Sequence, residues 1–230
     1  MLAENIKKYA DELITRYPVL AGSFEDILKA YETLEQSYAA GGKLLIAGNG
    51  GSCSDANHIV GELMKGFCSR RPLSEEMKKK LIEIDREQGA DLSEKLQEAL
   101  PTIALDNHNA LNTAFLNDVD GYMTYAQQVN GYAEAGDVFL GISTSGNSKN
   151  ILYAAITAKA KGAKVIGLTG CTGGKLLDMA DVCIRVDETE TYKIQELHLP
   201  VYHCLCLMLE ERFFGPVSYT HLTLPTTSRV

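Results

Sequence analysis

The sequence predicts an α/β protein built on a parallel sheet with helices on both faces. Three observations carry this. Five short runs rich in Val, Ile and Leu, at residues 43–47, 102–105, 137–143, 164–169 and 182–186, have the length and composition of buried strands. Helical patterns fill most of the intervals between them, the alternation expected of parallel βαβ units. Two of the runs lead straight into glycine- and serine-rich turns, Gly48-Asn49-Gly50-Gly51-Ser52 and Ser143-Thr144-Ser145-Gly146-Asn147-Ser148, each followed by a helical pattern.

In chain order, residues 1–17 and 23–40 have helical periodicity and are punctuated by Pro18 and by Gly41-Gly42. Residues 1–42 therefore form an N-terminal helical layer or a contact between subunits. The first strand and its turn lead into a helix carrying Asp55-Ala56-Asn57-His58 and Glu62. Residues 70–100 then depart from the alternation. Ser74-Glu75-Glu76 and Ser93-Glu94 each look like the start of a capped helix, with Gly89-Ala90-Asp91 as the turn between. This is a helical insertion before the second strand, a solvated excursion unless it serves as a lid or a partner surface. The last helix carries Gln195, His198 and His203 and should kink at Pro200, which lacks an N–H and clashes with the carbonyl of Glu196. It ends at Phe214-Gly215-Pro216, so residues 1–216 read as one domain.

Residues 217–230 break the pattern: they are threonine-rich and carry no acidic residue. The codons GTC TCT TAT ACA CAT CTG ACG CTG CCG ACG A encode Val217 through Thr226 and resemble a transposase sequencing adapter read in frame. We expect a non-native tail there and give His221 no part in any site.

Composition removes several classes of function. With 30 Asp and Glu against 22 Lys and Arg, the chain is unsuited to general nucleic-acid binding. No apolar run is long enough to cross a membrane, and the N-terminus lacks the apolar core of a signal peptide. Six cysteines without a C-x-x-C pair read as reduced thiols, and the expected location is the cytoplasm.

The chemistry points to a phosphorylated small molecule. Glycines in a strand-to-helix turn let the backbone approach a ligand closely, and the first N–H groups of the helix attract anions. Hydroxyls of Ser52, Ser143, Thr144, Ser145 and Ser148 add donors there, with Ser143 and Ser145 expected to point outward from the strand ends. Either turn alone is equally an ordinary βα loop with an N-capping serine. Ligands of parallel sheets bind at the carboxyl ends of strands near a topological switch point, and both turns are at carboxyl ends. His58 and Glu62 are four apart, which puts imidazole and carboxylate on one helix face. The pair suits a divalent metal or a base, or it is a solvated surface pair. His198 reads as a packed histidine.

These motifs, together with Asn117-Asp118, Gly167-Leu168-Thr169-Gly170 and Ile194-Gln195-Glu196 followed by His203, resemble the sugar isomerase (SIS) domain family, and within it the bacterial phosphoheptose isomerases. The resemblance runs from the N-terminal helices to Glu211 and is interrupted by the 70–100 insertion. It implies a flavodoxin-like five-stranded parallel sheet, a homotetramer with sites near subunit interfaces, and one zinc ion per subunit. By motif, it implies zinc ligands at His58, Glu62, Gln195 and His203. It implies phosphate contacts at Ser52, Ser143, Thr144, Ser145 and Ser148, and substrate contacts at Asn49, Gly50, Gly51, Asn117, Asp118, Glu62 and Gln195. The implied reaction is aldose–ketose isomerisation of sedoheptulose 7-phosphate to D-glycero-D-manno-heptose 7-phosphate through an enediol-like state, with Glu62 as base and His203 as partner acid. The alternative is a non-catalytic SIS protein, a sugar-phosphate-binding regulator or a replication-initiator-associating adaptor; relatives of that kind lack the acid and the late histidine present here. Tyr192 departs from the isomerase pattern, standing where an acidic residue is common.

Overall fold

The computed structural model describes residues 2–215, so the expectation of a non-native tail lies outside the described residues. Five strands form one all-parallel sheet: β1 (Leu44–Ala47), β2 (Thr102–Ala104), β3 (Val138–Ile142), β4 (Lys164–Thr169) and β5 (Val182–Arg185). Their order is β2-β1-β3-β4-β5. The chain therefore reverses its direction of travel between β1 and β3, where Ala47 is in register with Gly141. In such sheets that switch point opens a crevice at the carboxyl ends.

Alternate strand residues feed two cores, as the period-2 geometry of a strand dictates. Leu44, Ile46, Leu140 and Ile142 pack with α1 (Glu4–Arg16), α2 (Phe24–Ala39), α3 (Gly51–Leu63) and α10 (Thr191–Phe214). Leu45, Ala47 and Phe139 pack on the other face with α7 (Thr124–Tyr132), α8 (Lys149–Ala160) and α9 (Gly174–Met179). The N-terminal helices are thus a layer of the first core. The α10 helix continues through Pro200, which is buried within it. Among the described residues no helix is long and apolar enough to cross a membrane, and all six cysteines are free.

The insertion corrects the sequence reading. Both helices exist, α4 (Glu75–Ile84) and α5 (Gln88–Lys95), but Gly89-Ala90-Asp91 lies inside α5 and Ser93 near its end. Asp85 makes the turn instead: its Oδ1 accepts the N–H groups of Glu87 and Gln88. Gly89 is the crossing point, where any side chain would collide with the Leu81 carbonyl. Ser93 Oγ donates to the Ala90 carbonyl rather than capping a helix. A single bridge between Pro72 and Gln97 closes the base of the excursion. The short α6 (Asn109–Phe115) follows β2.

His198 is wholly buried on α10, as expected of a packed histidine, and neither ring nitrogen has a well-formed hydrogen bond. Burial, offset only in part by the Thr169 backbone, pushes its pKa down to about 4. The folded protein then refuses a proton that the unfolded chain accepts below about pH 6.5. Stability should be flat above that pH and fall as the pH drops toward 4, by up to roughly 3 kcal/mol from this group. Urea denaturation across that range should show a smaller loss in His198→Leu; an equal loss would assign the acid sensitivity elsewhere.

A crevice between two serine turns and a histidine–carboxylate group

The two turns lie side by side because β1 and β3 are neighbours, and they diverge because α3 and α8 cover opposite faces. Side chains tie them together. Asn49 and Asn150 exchange two amide hydrogen bonds, of 3.0 and 2.8 Å. Tyr125 donates its hydroxyl to the Gly48 carbonyl at 2.9 Å. Gly50 has φ 57° and ψ −121°, a backbone shape that only glycine adopts readily. Gly51 must be bare for a different reason: the Gln195 amide lies 2.6–3.0 Å from where its Cβ would be. A residue of the last helix thus closes on the first turn, and the sequence distance of 144 positions hides it.

The serines do not all behave as expected. Ser52 is buried at the start of α3. Ser143, expected to point outward, is only 3% exposed, and its Oγ meets Ser148 Oγ at 2.9 Å. Ser148 flanks α8 but leaves the cap unmade, spending its hydroxyl on Ser143. Ser145 is exposed and takes the Asn147 N–H, while the Thr144 carbonyl accepts from Gly170. Among the described residues no hydrogen bond or ion pair joins Asn117 or Asp118 to this cluster. They sit exposed on a π-helical turn (Leu116–Asp120) and bond each other at 2.7 Å.

A second group stands further along α3. His58 Nε2 is 3.1 Å from Glu62 Oε1 and 3.4 Å from His203 Nε2 on α10. The two imidazoles meet edge to face, with centroids 4.9 Å apart. Burial lowers the pKa of His203, helped by the neighbouring His58 and opposed by Glu62. Glu62 is largely covered, and its second oxygen lies 3.7 Å from Lys65 Nζ. Behind His58, its Nδ1 meets the Tyr202 hydroxyl at 2.9 Å, and that hydroxyl reaches Asp55 Oδ1 at 3.3 Å. Burial raises the Asp55 carboxyl, against the pull of Tyr202 and His58. Phe67 covers His203 from the loop after α3, and a cleft of about 110 Å³ between α1 and α10 has His203 in its wall.

The donor set suits a divalent metal in kind, since two imidazole nitrogens and a carboxylate are common zinc ligands. It suits one in spacing as well: the 3.1 and 3.4 Å contacts resemble the roughly 3.3 Å edges of a tetrahedron with bonds of about 2.0 Å. As they stand the side chains contact one another, and among the described residues no three or more His, Cys, Asp or Glu enclose a ready-made ion position. Gln195 is held on Gly51, eight residues and about two helix turns from His203 along α10.

Some of the arrangement had no local signal in the sequence. Tyr202 and Asp55 were within reach, since one adjoins His203 and the other is three residues before His58. Arg71 and Glu210, which anchor the end of α3, are 139 residues apart and each reads as an ordinary surface charge.

Known proteins resemble the chain in sequence and in fold. The SIS domain family matches residues 86–170. The chain is 36% identical to phosphoheptose isomerase 2 of Campylobacter jejuni over 92% of its own length and 96% of the relative's. It is 37% identical to the phosphoheptose isomerase of Aneurinibacillus thermoaerophilus, over 83% of its length and 85% of the relative's. Among solved structures, a phosphoheptose isomerase from Francisella tularensis superposes with a TM-score of 0.70 at 30% identity, covering 90% of this chain and 96% of that one. The chain belongs to the phosphoheptose isomerase family.

Proposed function

We propose that this protein interconverts sedoheptulose 7-phosphate and D-glycero-D-manno-heptose 7-phosphate. The observation that carries the reading is that α3 begins at a phosphate-suited crevice and carries, further along, His58 and Glu62, where His203 of α10 meets them. His58 is seven residues beyond Gly51, about 10 Å along the axis of α3. That is the reach of an extended seven-carbon chain whose phosphate sits at the start of the helix and whose carbonyl end sits at the histidines.

The phosphate is held by the N-terminus of α3 and by the hydroxyls of Ser52, Thr144, Ser145 and the Ser143–Ser148 pair. Binding there fixes the register of the sugar, so C1 and C2 come to Glu62. Glu62 takes the C1 proton as a carboxylate, and His203 delivers a proton to the C2 oxygen as the enediol forms. Reversal with the proton returned to C2, and the O1 proton taken up, gives the aldose. Burial and the neighbouring His58 favour the neutral ring of His203, so a proton it takes up is readily passed on. Zinc, held by His58, Glu62 and His203, would supply Lewis-acid stabilisation of the developing oxyanion.

A homotetramer is part of this reading. Leu116 (67% exposed), Val119 and Tyr122 form an apolar surface around the turn that carries Asn117 and Asp118, a setting suited to a subunit contact. Asn117 and Asp118 would then serve a neighbouring subunit's crevice. The free cysteines agree with a cytoplasmic location. The test is turnover of sedoheptulose 7-phosphate by purified protein, before and after chelation and zinc restoration. Turnover that chelation abolishes and zinc restores is expected. Metal-loaded protein that binds the sugar phosphate without turning it over would point to a non-catalytic SIS protein.

A further inference from the structure

Tyr202 is 1% exposed on α10, and its ring packs edge-on against both histidines, with centroids 5.5 Å from His58 and 5.0 Å from His203. Its hydroxyl has two partners, His58 Nδ1 and Asp55 Oδ1. Asp55 Oδ2 is buried and has no partner among the described residues, so the tyrosine is the one donor reaching this carboxylate.

We propose that Tyr202 is a positioning residue: held by Asp55, its hydroxyl fixes His58 with the ring proton on Nδ1 and turns the Nε2 lone pair toward Glu62 and His203. The inference rests on the metal-binding reading of that group.

A phenol has a single proton to give. Given to Asp55, it leaves the phenol oxygen free to accept the His58 Nδ1–H, and both buried groups are satisfied. Given to His58, it leaves a buried carboxylate without any donor, the costlier arrangement. The first arrangement therefore wins, and it bares Nε2. Nε2 then faces Glu62 Oε1 at 3.1 Å and His203 Nε2 at 3.4 Å, and a lone pair set against a carboxylate at that distance is relieved by a cation shared between them. A carboxylate acting through an intermediate donor on the far nitrogen of a ligating histidine is how outer partners commonly set tautomer and ring orientation.

The test uses full-length protein, stripped of metal, with Zn²⁺ affinity measured by competition against a chromogenic chelator and the visible spectrum recorded with Co²⁺. Tyr202→Phe should keep a wild-type-like far-UV spectrum and weaken metal binding by about 10–100-fold, with an altered Co²⁺ spectrum. Asp55→Asn should weaken it likewise, because its amide can donate to the phenol and send the hydroxyl proton to His58; this variant decides the matter should Tyr202→Phe fail to fold. Either variant binding Zn²⁺ as tightly as wild type, with an unchanged Co²⁺ spectrum, would overturn the relay. Wild-type protein that binds neither ion would overturn the relay and the metal reading together. Turnover in the same wild-type preparations reports separately on the isomerase reading.

Discussion

Glu62→Gln should lower turnover of sedoheptulose 7-phosphate by about 10²–10⁴-fold, the usual worth of a positioned general base. The amide keeps the length and shape of the side chain but cannot take a proton from carbon. Folding should survive, because Glu62 contacts only His58 and Lys65 through its carboxylate, and both are partly exposed. Sugar-phosphate affinity should persist too, since the serine turns are at the far end of the α3 segment. The measurement is kcat and KM side by side with isothermal titration of the sugar phosphate. A variant within tenfold of wild type would remove Glu62 as the base. Loss of both binding and turnover would instead place Glu62 in the support of the crevice.

Arg71→Met should destabilise the protein by about 3–5 kcal/mol, because it breaks a buried ion pair from one side. Arg71 is 1% exposed and Glu210 3%. Glu210 accepts from Arg71 Nε at 2.9 Å and from the backbone N–H groups of Phe67, Cys68 and Ser69. Arg71 in turn donates to the carbonyls of Leu63 and Glu62 and lies 4.5 Å from the Phe214 ring. The pair therefore ends α3, shapes the loop beyond it and fastens both to α10. In a domain of this size the loss corresponds to a fall in melting temperature of roughly 6–20 °C. Arg71→Met combined with Glu210→Leu should cost less than the sum of the single changes, since neither charge is then stranded. Denaturation should be compared at one protein concentration, because subunit association would contribute to stability. A single-variant loss under 1 kcal/mol would mean that water or other groups replace the missing partner.

The outcome differs from element to element in an instructive way. The strand at 164–169 was legible to the residue because a strand buried on both faces is a continuous apolar run, a signal that needs no knowledge of neighbours. The insertion was half legible. Gly89 reads locally as a turn, yet here it permits a close helix crossing, and Ser93 resembles a cap whose hydroxyl goes backward to Ala90. Glycine and serine serve several purposes, and local pattern cannot rank them. Ser143 was assigned to the correct turn but the wrong direction, because its burial depends on Ser148 turning away from its own helix end.

The sequence by itself determined the sheet, the two glycine–serine turns and the helical spacing that puts His58 and Glu62 on one face. Each of these is set by residues within a few positions of one another, where backbone geometry alone links pattern to placement. Only the tertiary structure decided that His203 arrives 3.4 Å from His58, that Gln195 closes on Gly51, that Tyr202 links His58 to Asp55, and that Arg71 finds Glu210. All four bring α10 back onto α3 or the loop just after it. Packing of a distant helix on a shared core fixes that meeting, and it leaves no periodic trace in the chain.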